Sequence, residues 1–309
     1  TEEMLAQIDR RNPTSDPIAR QFVPDVRELN VAPGELADPI GDEARSPIKG
    51  IVHRYPDRVL LKPLHACPVY CRFCFRREKV GPGAEALNDA ELEAALGYIR
   101  ARPEIWEVVL TGGDPLMMAP RRLAALIEGL DAITHVAVLR VHSRVPVVEP
   151  SRITDELVQA LRRRRAAVWL AVHCNHSREL TVASRAALTR LTEAGLPLIG
   201  QTVLLSGIND DVDTLDRLLR DLVGCRVKPY YLHHPDLVRG TGHFRVSIER
   251  GQELMRALRG RLSGLAQPIY VLDVPGGHGK VPIGPAYLGD DPDALSVEDA
   301  FGGRHPYPG

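Results

Sequence analysis

Short apolar segments alternate with amphipathic ones along most of the chain, and this alternation constrains the fold more than any other feature. Strand character is predicted for seven segments, at residues 56–64, 107–110, 136–141, 167–172, 196–205, 226–232 and 268–273. Helical spacing of apolar residues is found between them, at residues 88–102, 120–130, 154–164, 181–194, 211–222 and 246–262. Such an order indicates repeated βαβ units and a parallel sheet. The strands are solidly apolar, as is typical of a sheet that is covered on both faces.

The strand count leaves two architectures open. Seven strands are one fewer than a complete (β/α)₈ barrel has, so a partial barrel and an open doubly wound sheet both fit. No GxGxxG motif follows the first strand, which is evidence against a dinucleotide-binding fold. In a parallel barrel the chemistry lies at the C-terminal strand ends. Cysteines, GGDP, HSR, HCNH and PGGHGK each follow a strand here, so their convergence predicts one site.

Three of the five cysteines form a compact motif with the spacing C-x₃-C-x₂-C. They are Cys67, Cys71 and Cys74, and their odd number and close spacing do not suit a disulfide framework. Three thiolates can bind three irons of a cubane cluster and leave the fourth iron open to a small molecule. Zinc is the alternative, but a structural zinc site usually has four protein ligands. Cys174 and Cys225 lie far from the motif and are predicted to be buried thiols.

Lysine is scarce in this chain, and this scarcity draws attention to one residue. Of 39 basic residues only five are lysines, which leaves 34 arginines, and arginine cannot form an imine. Lys280 ends the segment Pro-Gly-Gly-His-Gly-Lys, in which glycines allow close backbone approach to a ligand. A phosphate-binding P-loop would continue into a helix, whereas Val281 and Pro282 follow here. The remaining alternatives are a lysine that anchors pyridoxal phosphate (PLP) and a solvated surface lysine.

The cysteine motif, together with a glycine-rich GGDP segment after the next strand, resembles the radical S-adenosylmethionine (SAM) superfamily. The resemblance implies an α/β fold with a partial parallel barrel of the (β/α)₆ type. It also implies a [4Fe-4S] cluster held by Cys67, Cys71 and Cys74, with SAM on the open iron. In that superfamily the reduced cluster cleaves SAM to a 5′-deoxyadenosyl radical.

The same resemblance suggests which residues contact SAM. Gly112, Gly113 and Asp114 stand where the superfamily's GGE-type motif lines the methionyl part of SAM, although the acid here is Asp. Four further residues at strand ends are predicted SAM contacts because they share the active face, namely His142, Arg144, His173 and Asn175.

Within the superfamily, the PGGHGK segment resembles the PLP-anchoring segment of the lysine 2,3-aminomutase family. The resemblance extends over about residues 45–284 and implies that Lys280 forms the imine with PLP. Arg54 and Arg58 belong to the segment His-Arg-Tyr-Pro-Asp-Arg, whose arginines lie near PLP in the family. Arg76 belongs to Cys-Phe-Arg-Arg, where the family's first arginine pairs with the substrate carboxylate.

Two carboxylates in the sequence indicate which kind of substrate the site would bind. Asp236 and Asp273 both follow or end predicted strands, and the resemblance places them on the terminal ammonium of lysine. As isolated acids they could equally be helix caps or solvated loop charges. A buried acid pair favours a cation. The resulting hypothesis is an isomerase that moves the α-amino group of L-lysine to C3, giving β-lysine.

Several alternatives stay open at this point. The cysteine segment is closer to short relatives that make β-lysine for modification of elongation factor P, and the substrate could be another cationic amino acid. Outside the class, the chain could be a non-catalytic iron–sulfur or zinc protein. The family's cysteines for an intersubunit zinc are missing, since no cysteine follows Cys225, so that zinc is not expected.

The sequence also predicts how the chain is divided, where the protein is located and which partners it has. Residues 1–48 are predicted to form an N-terminal arm, residues 49–284 the barrel with its PLP site, and residues 285–309 a C-terminal tail. The net charge of −1 argues against binding nucleic acid by bulk charge, and no apolar run could span a bilayer. With no signal peptide in the sequence, a cytoplasmic protein is expected. The resemblance also implies an electron donor such as flavodoxin or ferredoxin, and a homo-oligomer.

Overall fold

The computed structural model describes residues 1–81, 85–162, 165–289 and 295–307. Within these residues the main sheet has nine strands, and their order in the sheet is their order in the chain. The strands are β1 (Ile51–Tyr55), β2 (Arg58–Leu64), β3 (Glu107–Gly112), β4 (Val138–Ser143), β5 (Ala167–His173), β6 (Leu198–Val203), β7 (Val227–His233), β8 (Ile269–Val274) and β9 (Gly279–Pro282). A separate two-stranded sheet consists of β10 (Ser296–Glu298) and β11 (Arg304–Pro306).

Strands β2 to β8 are parallel, and each one pairs with the strand that follows it in the chain. A doubly wound sheet would reverse its strand order at a switch point. This order continues in one direction, and the sheet curves into a nearly closed barrel. The seven parallel strands coincide with the seven predicted segments, so the partial barrel is confirmed and the doubly wound alternative is wrong.

The two outer strands were not predicted from the sequence. Strand β1 pairs with β2 and β9 with β8, both antiparallel and both as hairpins. Their segments are short and contain polar residues, so they lack the continuous apolar character of the central strands. Their pairing depends on the turns that precede or follow them, which single-strand patterns do not report.

Two short helices precede the sheet, α1 (Glu2–Leu5) and α2 (Ala19–Phe22). The short helix α5 (Val145–Val148) was not predicted. Six helices between the strands follow the predicted alternation, namely α3 (Asp89–Arg100), α4 (Pro120–Asp131), α6 (Asp155–Leu161), α7 (Val182–Glu193), α8 (Val212–Gly224) and α9 (Ile248–Arg261). Helix α8 illustrates their packing, because its buried leucines recur at helical spacing, at Leu215, Leu218, Leu219 and Leu222. Among the described residues, no helix is both long and apolar enough to cross a membrane.

One predicted helix is shorter than expected. The helix predicted for residues 154–164 ends at Leu161, and residues 163–164 lie outside the described part of the chain. Within the predicted N-terminal arm, α1 is a short helix in which Met4 is the one buried residue.

The segment before β1 lies across the open side of the barrel. The backbone N–H of Gly276, in the turn between β8 and β9, donates to the Pro39 carbonyl at 3.2 Å. Gly41 has a φ of +66°, and a Cβ there would lie 2.8 Å from the Gly276 carbonyl carbon. Only glycine allows this approach. The early segment therefore contacts the turn that carries Lys280.

Candidate active site

A cavity of about 550 Å³ lies inside the barrel. Of the site residues predicted from the sequence, all line this cavity except Asn175. They come from the loop after β2 and from the C-terminal ends of strands, together with the β1–β2 and β8–β9 hairpins. The structure thus brings these residues to one place, while the role of each remains a prediction.

The three motif cysteines lie on the loop that follows β2. Burial raises the pKa of the Cys67 thiol, and it raises the pKa of Cys74 to about 11. A bound metal reverses that preference because its positive charge favours the thiolate. Among the described residues, no group of three His, Cys, Asp or Glu side chains is arranged so that it could hold a single metal ion. In a cubane cluster each thiolate binds a different iron, so three separated thiols on one loop fit that group.

The glycines of GGDP let the start of the cysteine loop pack directly on the end of β3. A Cβ on Gly113 would lie 2.2 Å from the Ala66 carbonyl oxygen, and one on Gly112 would lie 2.6 Å from that of Leu64. The Gly113 N–H donates to the Leu64 carbonyl at 2.8 Å. These glycines therefore have a structural function in addition to the predicted contact with SAM.

Asp114 links the end of β3 to the end of β4. Its buried carboxylate accepts hydrogen bonds from the Ser143 hydroxyl at 2.8 Å and from the Arg144 N–H at 2.7 Å. Burial raises its pKa, against the lowering effect of these hydrogen bonds. This bridging function was not found from the sequence, where the GGD pattern pointed only to SAM.

Arg144 and Asn175 belong to a buried polar network beside the cysteine loop. One terminal nitrogen of Arg144 donates to Cys71 Sγ at 2.9 Å, and the other donates to Glu179 at 2.6 Å. The Asn175 side chain accepts from the Val203 N–H at 2.9 Å and contacts His173 Nε2 at 3.1 Å. Asn175 thus supports the ends of β5 and β6, outside the cavity lining.

Two histidines at the ends of β4 and β5 line the cavity in neutral form. Burial lowers the pKa of His142, and it lowers that of His173 to about 3. His142 Nε2 is buried and finds no hydrogen-bond partner among the described residues. A polar ligand in the cavity could satisfy it, which fits the predicted contact with a cofactor.

Lys280 lies on β9 and pairs in register with Asp273 of β8. Its ammonium forms an ion pair with the Asp273 carboxylate and lies 3.2 Å from His233 Nδ1. Its backbone N–H donates to the Tyr55 hydroxyl at 2.6 Å. The preceding glycines adopt left-handed φ values, +82° at Gly276, and so form the turn. Sequence analysis missed His233 and Tyr55.

The two predicted substrate acids lie close enough to influence each other. Asp236 follows β7 and lines the cavity with Asp273. Burial raises the pKa of Asp236 to about 7, and the neighbouring charge of Asp273 adds to this effect. A carboxyl group in such surroundings gains most from a cationic partner.

Arg76 is held by an acid that the sequence did not reveal. Two of its guanidinium nitrogens donate to Asp42 Oδ2 at 3.0 and 2.8 Å, and a third donates to the Thr111 hydroxyl at 3.3 Å. Burial would raise the pKa of Asp42, but the charges of Arg76 and Lys62 keep it below its usual value. Asp42 lies in an irregular segment without periodicity, so no sequence signal marked it.

The two arginines predicted near PLP lie in different surroundings. Arg54 is nearly buried and donates to the Ile40 carbonyl at 2.6 Å and to Asp42 at 3.3 Å. Arg58 lies at the start of β2, where its guanidinium stacks 3.7 Å from the centre of the Tyr55 ring. Both line the same cavity.

The sequence matches two family models. Residues 61–219 match the radical SAM superfamily, and residues 255–303 match a model described as lysine-2,3-aminomutase. The chain is similar to "L-lysine 2,3-aminomutase" of Acetoanaerobium sticklandii, with 44% identity over 92% of the chain and 68% of the relative. It is 43% identical to the protein of that name from Fusobacterium nucleatum, over 88% of the chain and 64% of the relative. A "Glutamate 2,3-aminomutase" of Clostridioides difficile is 39% identical, over 88% of the chain and 64% of that relative.

Solved structures agree on the fold. A radical SAM methyltransferase from Sphaerobacter thermophilus superposes with a TM-score of 0.50, at 19% identity, over 72% of this chain and 68% of that one. At this identity the likeness concerns the barrel alone. The family models and the relatives above show more, because they cover most of the chain. The chain is therefore an enzyme of the lysine 2,3-aminomutase family, within the radical SAM superfamily.

Proposed function

We propose that this isomerase moves the α-amino group of L-lysine to C3, giving β-lysine, with SAM and PLP as cofactors. The observation that carries the proposal is the pair of acids, Asp236 and Asp273, beside Lys280 in one cavity. The raised pKa of Asp236 reflects burial next to a second carboxylate. The terminal ammonium of lysine is the group of the substrate that relieves this repulsion.

Positive charge, in contrast, is concentrated around Asp42. This single carboxylate faces Arg54, Lys62 and Arg76, at 3.3, 3.8 and 2.8 Å. One negative charge leaves three cations only partly compensated, so anions are favoured there. Arg76 would hold the substrate carboxylate, and Arg54 is suited to the phosphate of PLP.

The residues around Lys280 fit PLP. The lysine amine lies inside the cavity beside His233, which burial keeps neutral by lowering its pKa. When bound, PLP supplies the π-bond through which the amino group migrates, and SAM supplies the radical that moves the hydrogen. Lys280 anchors PLP, and Asp273 exchanges the Lys280 ammonium for the ammonium of the substrate.

Glutamate is the second candidate substrate, because one relative bears its name. Its side-chain carboxylate would face Asp236 and Asp273, and a third negative charge there is unfavourable. Ornithine and arginine have cationic side chains and remain alternatives of the same charge class.

Anaerobic incubation with lysine, SAM, PLP and dithionite tests the proposal. We expect β-lysine as the product, and with glutamate little or no turnover. Lys280→Ala should lose both turnover and the visible absorbance of the PLP imine while the brown cluster remains. Lys228→Ala is the control, because Lys228 donates to the Gln267 carbonyl away from the cavity and should keep both properties.

Three results would contradict the proposal. They are preferred turnover of glutamate, full activity of Lys280→Ala, or a colourless protein with stoichiometric zinc. The last would favour a non-catalytic zinc protein instead. Production of β-lysine would leave its use open, and adding elongation factor P with its ligase would show whether β-lysine is transferred to that protein.

The remaining partners belong to the same proposal. Reduction of the cluster requires an electron donor, for which a flavodoxin or a ferredoxin is the expected class. A homo-oligomer in the cytoplasm is also proposed, and sedimentation of the holoenzyme would measure the assembly.

A further inference from the structure

A buried network of polar side chains lies behind the cysteine loop and is not explained by lysine or PLP. Its centre is Arg144, which is 5% exposed, and its counter-charge is Glu179, which is fully buried. Asn175 and Gln21 complete it, and both are also fully buried. Burying an ion pair at this depth is costly unless every polar group is satisfied.

Glu179 is held in place by the backbone that follows β5. One of its carboxylate oxygens accepts from the N–H groups of Asn175 at 3.0 Å and His176 at 2.9 Å. The other accepts from Arg144 at 2.6 Å. Burial would raise the pKa of Glu179, but the Arg144 charge keeps it lowered, so the carboxylate is ionised.

Arg144 connects this carboxylate to a cysteine of the cluster motif. One terminal nitrogen of its guanidinium bonds Glu179, and the other donates to Cys71 Sγ at 2.9 Å. Since the guanidinium is planar and permanently charged, the two contacts fix one orientation of a positive charge beside the sulfur.

Gln21 ties the network to the cysteine loop from the other side. Its side-chain oxygen accepts from Arg144 at 2.6 Å, and its side-chain nitrogen donates to Glu179 at 3.0 Å. Its backbone carbonyl accepts from the N–H of Arg72, the residue after Cys71, at 2.9 Å. One residue of helix α2 thus positions both the arginine and the loop.

We propose that Arg144 and Glu179 together set the reduction potential of the cluster, Arg144 raising it through its hydrogen bond to Cys71 Sγ and Glu179 offsetting part of that effect. Reduction adds one electron to the cluster, so a cation at a ligand sulfur stabilises the reduced form. A carboxylate behind that cation weakens the stabilisation. The inference rests on the cluster of the superfamily and is independent of the proposed substrate.

Redox titration of the reconstituted protein, followed by electron paramagnetic resonance, tests this. Arg144→Gln removes the cation and should shift the midpoint potential to more negative values. Glu179→Gln removes the offsetting charge and should shift it to less negative values. A merely structural function would not give opposite signs, because loosening the loop would move both variants in the same direction.

A matched control is available in a second arginine that contacts a cysteine. Arg185 donates to Cys225 Sγ at 3.4 Å and pairs with Asp221, and Cys225 is outside the cluster motif. Arg185→Gln should therefore leave the midpoint potential unchanged. Iron and sulfide are counted in every variant, so that potentials are compared only at full cluster content.

Arg144→Lys is a second variant, which tests the inference even if Arg144→Gln does not retain a cluster. It keeps the charge but loses the planar fork, so its potential should lie between that of the parent and the value expected without the cation. Unchanged potentials in Arg144→Lys and Glu179→Gln would overturn the inference, as would shifts of the same sign in Arg144→Gln and Glu179→Gln. A parent protein that binds no cluster would overturn it as well, whatever its activity towards lysine in other assays.

Discussion

Two carboxylates of the cavity, Asp42 and Asp236, lie in opposite electrostatic surroundings. Asp42 is desolvated but faces three cations, so its pKa is lowered. Asp236 is desolvated beside Asp273, so its pKa rises to about 7. A substrate with a carboxylate at one end and an ammonium at the other matches this arrangement of charge. At the scale of single residues, the neighbours of an acid decide its state more than its own chemistry does.

Lysine binding should therefore depend on pH through Asp236. As pH rises through about 7, Asp236 ionises and attracts the substrate ammonium, so the KM for lysine should fall. Asp236→Asn should raise KM and lose this pH dependence. Steady-state kinetics between pH 6 and 8.5, within roughly the range where such groups titrate, provide the measurement. Asp213→Asn on the surface of α8 is the control, and the same profile in Asp236→Asn as in the parent would contradict the assignment.

The contribution of Asp236 to the free energy of unfolding should fall as pH rises, whereas its contribution to lysine binding should grow. A carboxyl whose pKa is raised on folding stabilises the folded chain at low pH, and this contribution is lost as pH rises from about 4 towards 7. Asp236→Asn should remove this part of the pH dependence, which urea unfolding at several pH values would show.

At the scale of elements, the end of β3 packs so closely against the cysteine loop that no side chain fits at Gly113. A Cβ at Gly113 would overlap the Ala66 carbonyl, a backbone atom that cannot rotate away. Gly113→Ala should therefore displace the cysteine loop, costing about 1–3 kcal/mol of unfolding free energy and lowering the iron content.

Gly97→Ala is the matched control for Gly113→Ala. Gly97 lies within α3, and a Cβ there meets nothing within 4 Å. This change should stabilise the chain slightly because alanine favours a helix. Full iron content in Gly113→Ala would show that the loop tolerates the side chain.

The sequence predicted the central elements well because their signals are local. Continuous apolar strands and spaced leucines identified the parallel barrel, and glycine and cysteine motifs identified part of the cavity lining. Strands β1 and β9 were missed since neither has a pattern of its own. Asp42, His233 and Tyr55 were missed because their significance depends on residues far away in the chain, which no local pattern encodes.

At the scale of the whole molecule, a tyrosine hydroxyl connects the two edge strands of the barrel. Tyr55, at the end of β1, accepts from the backbone N–H of Lys280 on β9. Tyr55→Phe should cost about 1 kcal/mol in unfolding free energy, since it leaves this N–H without its partner. It should also weaken PLP binding, because Lys280 loses a constraint.

Tyr98→Phe separates these two effects. It removes another hydroxyl hydrogen bond, 2.8 Å from His53 Nδ1, and neither of these residues lines the cavity. Its stability loss should be similar while PLP affinity, measured by titration of the imine absorbance, stays unchanged. Equal PLP affinity in both variants would argue that the two edge strands are held by other contacts.

Contacts between residues far apart in the chain also determine when the cavity can form during folding. Tyr55 and Lys280 are 225 residues apart, and Gln21 and Glu179 are 158 apart. Such distant pairs form slowly, because long loops must close before the contacts stabilise them. In a chain emerging from the ribosome, the cysteine loop precedes Lys280 by more than 200 residues. The cysteines are thus synthesised early, but the cavity encloses them only after the β8–β9 hairpin has been made.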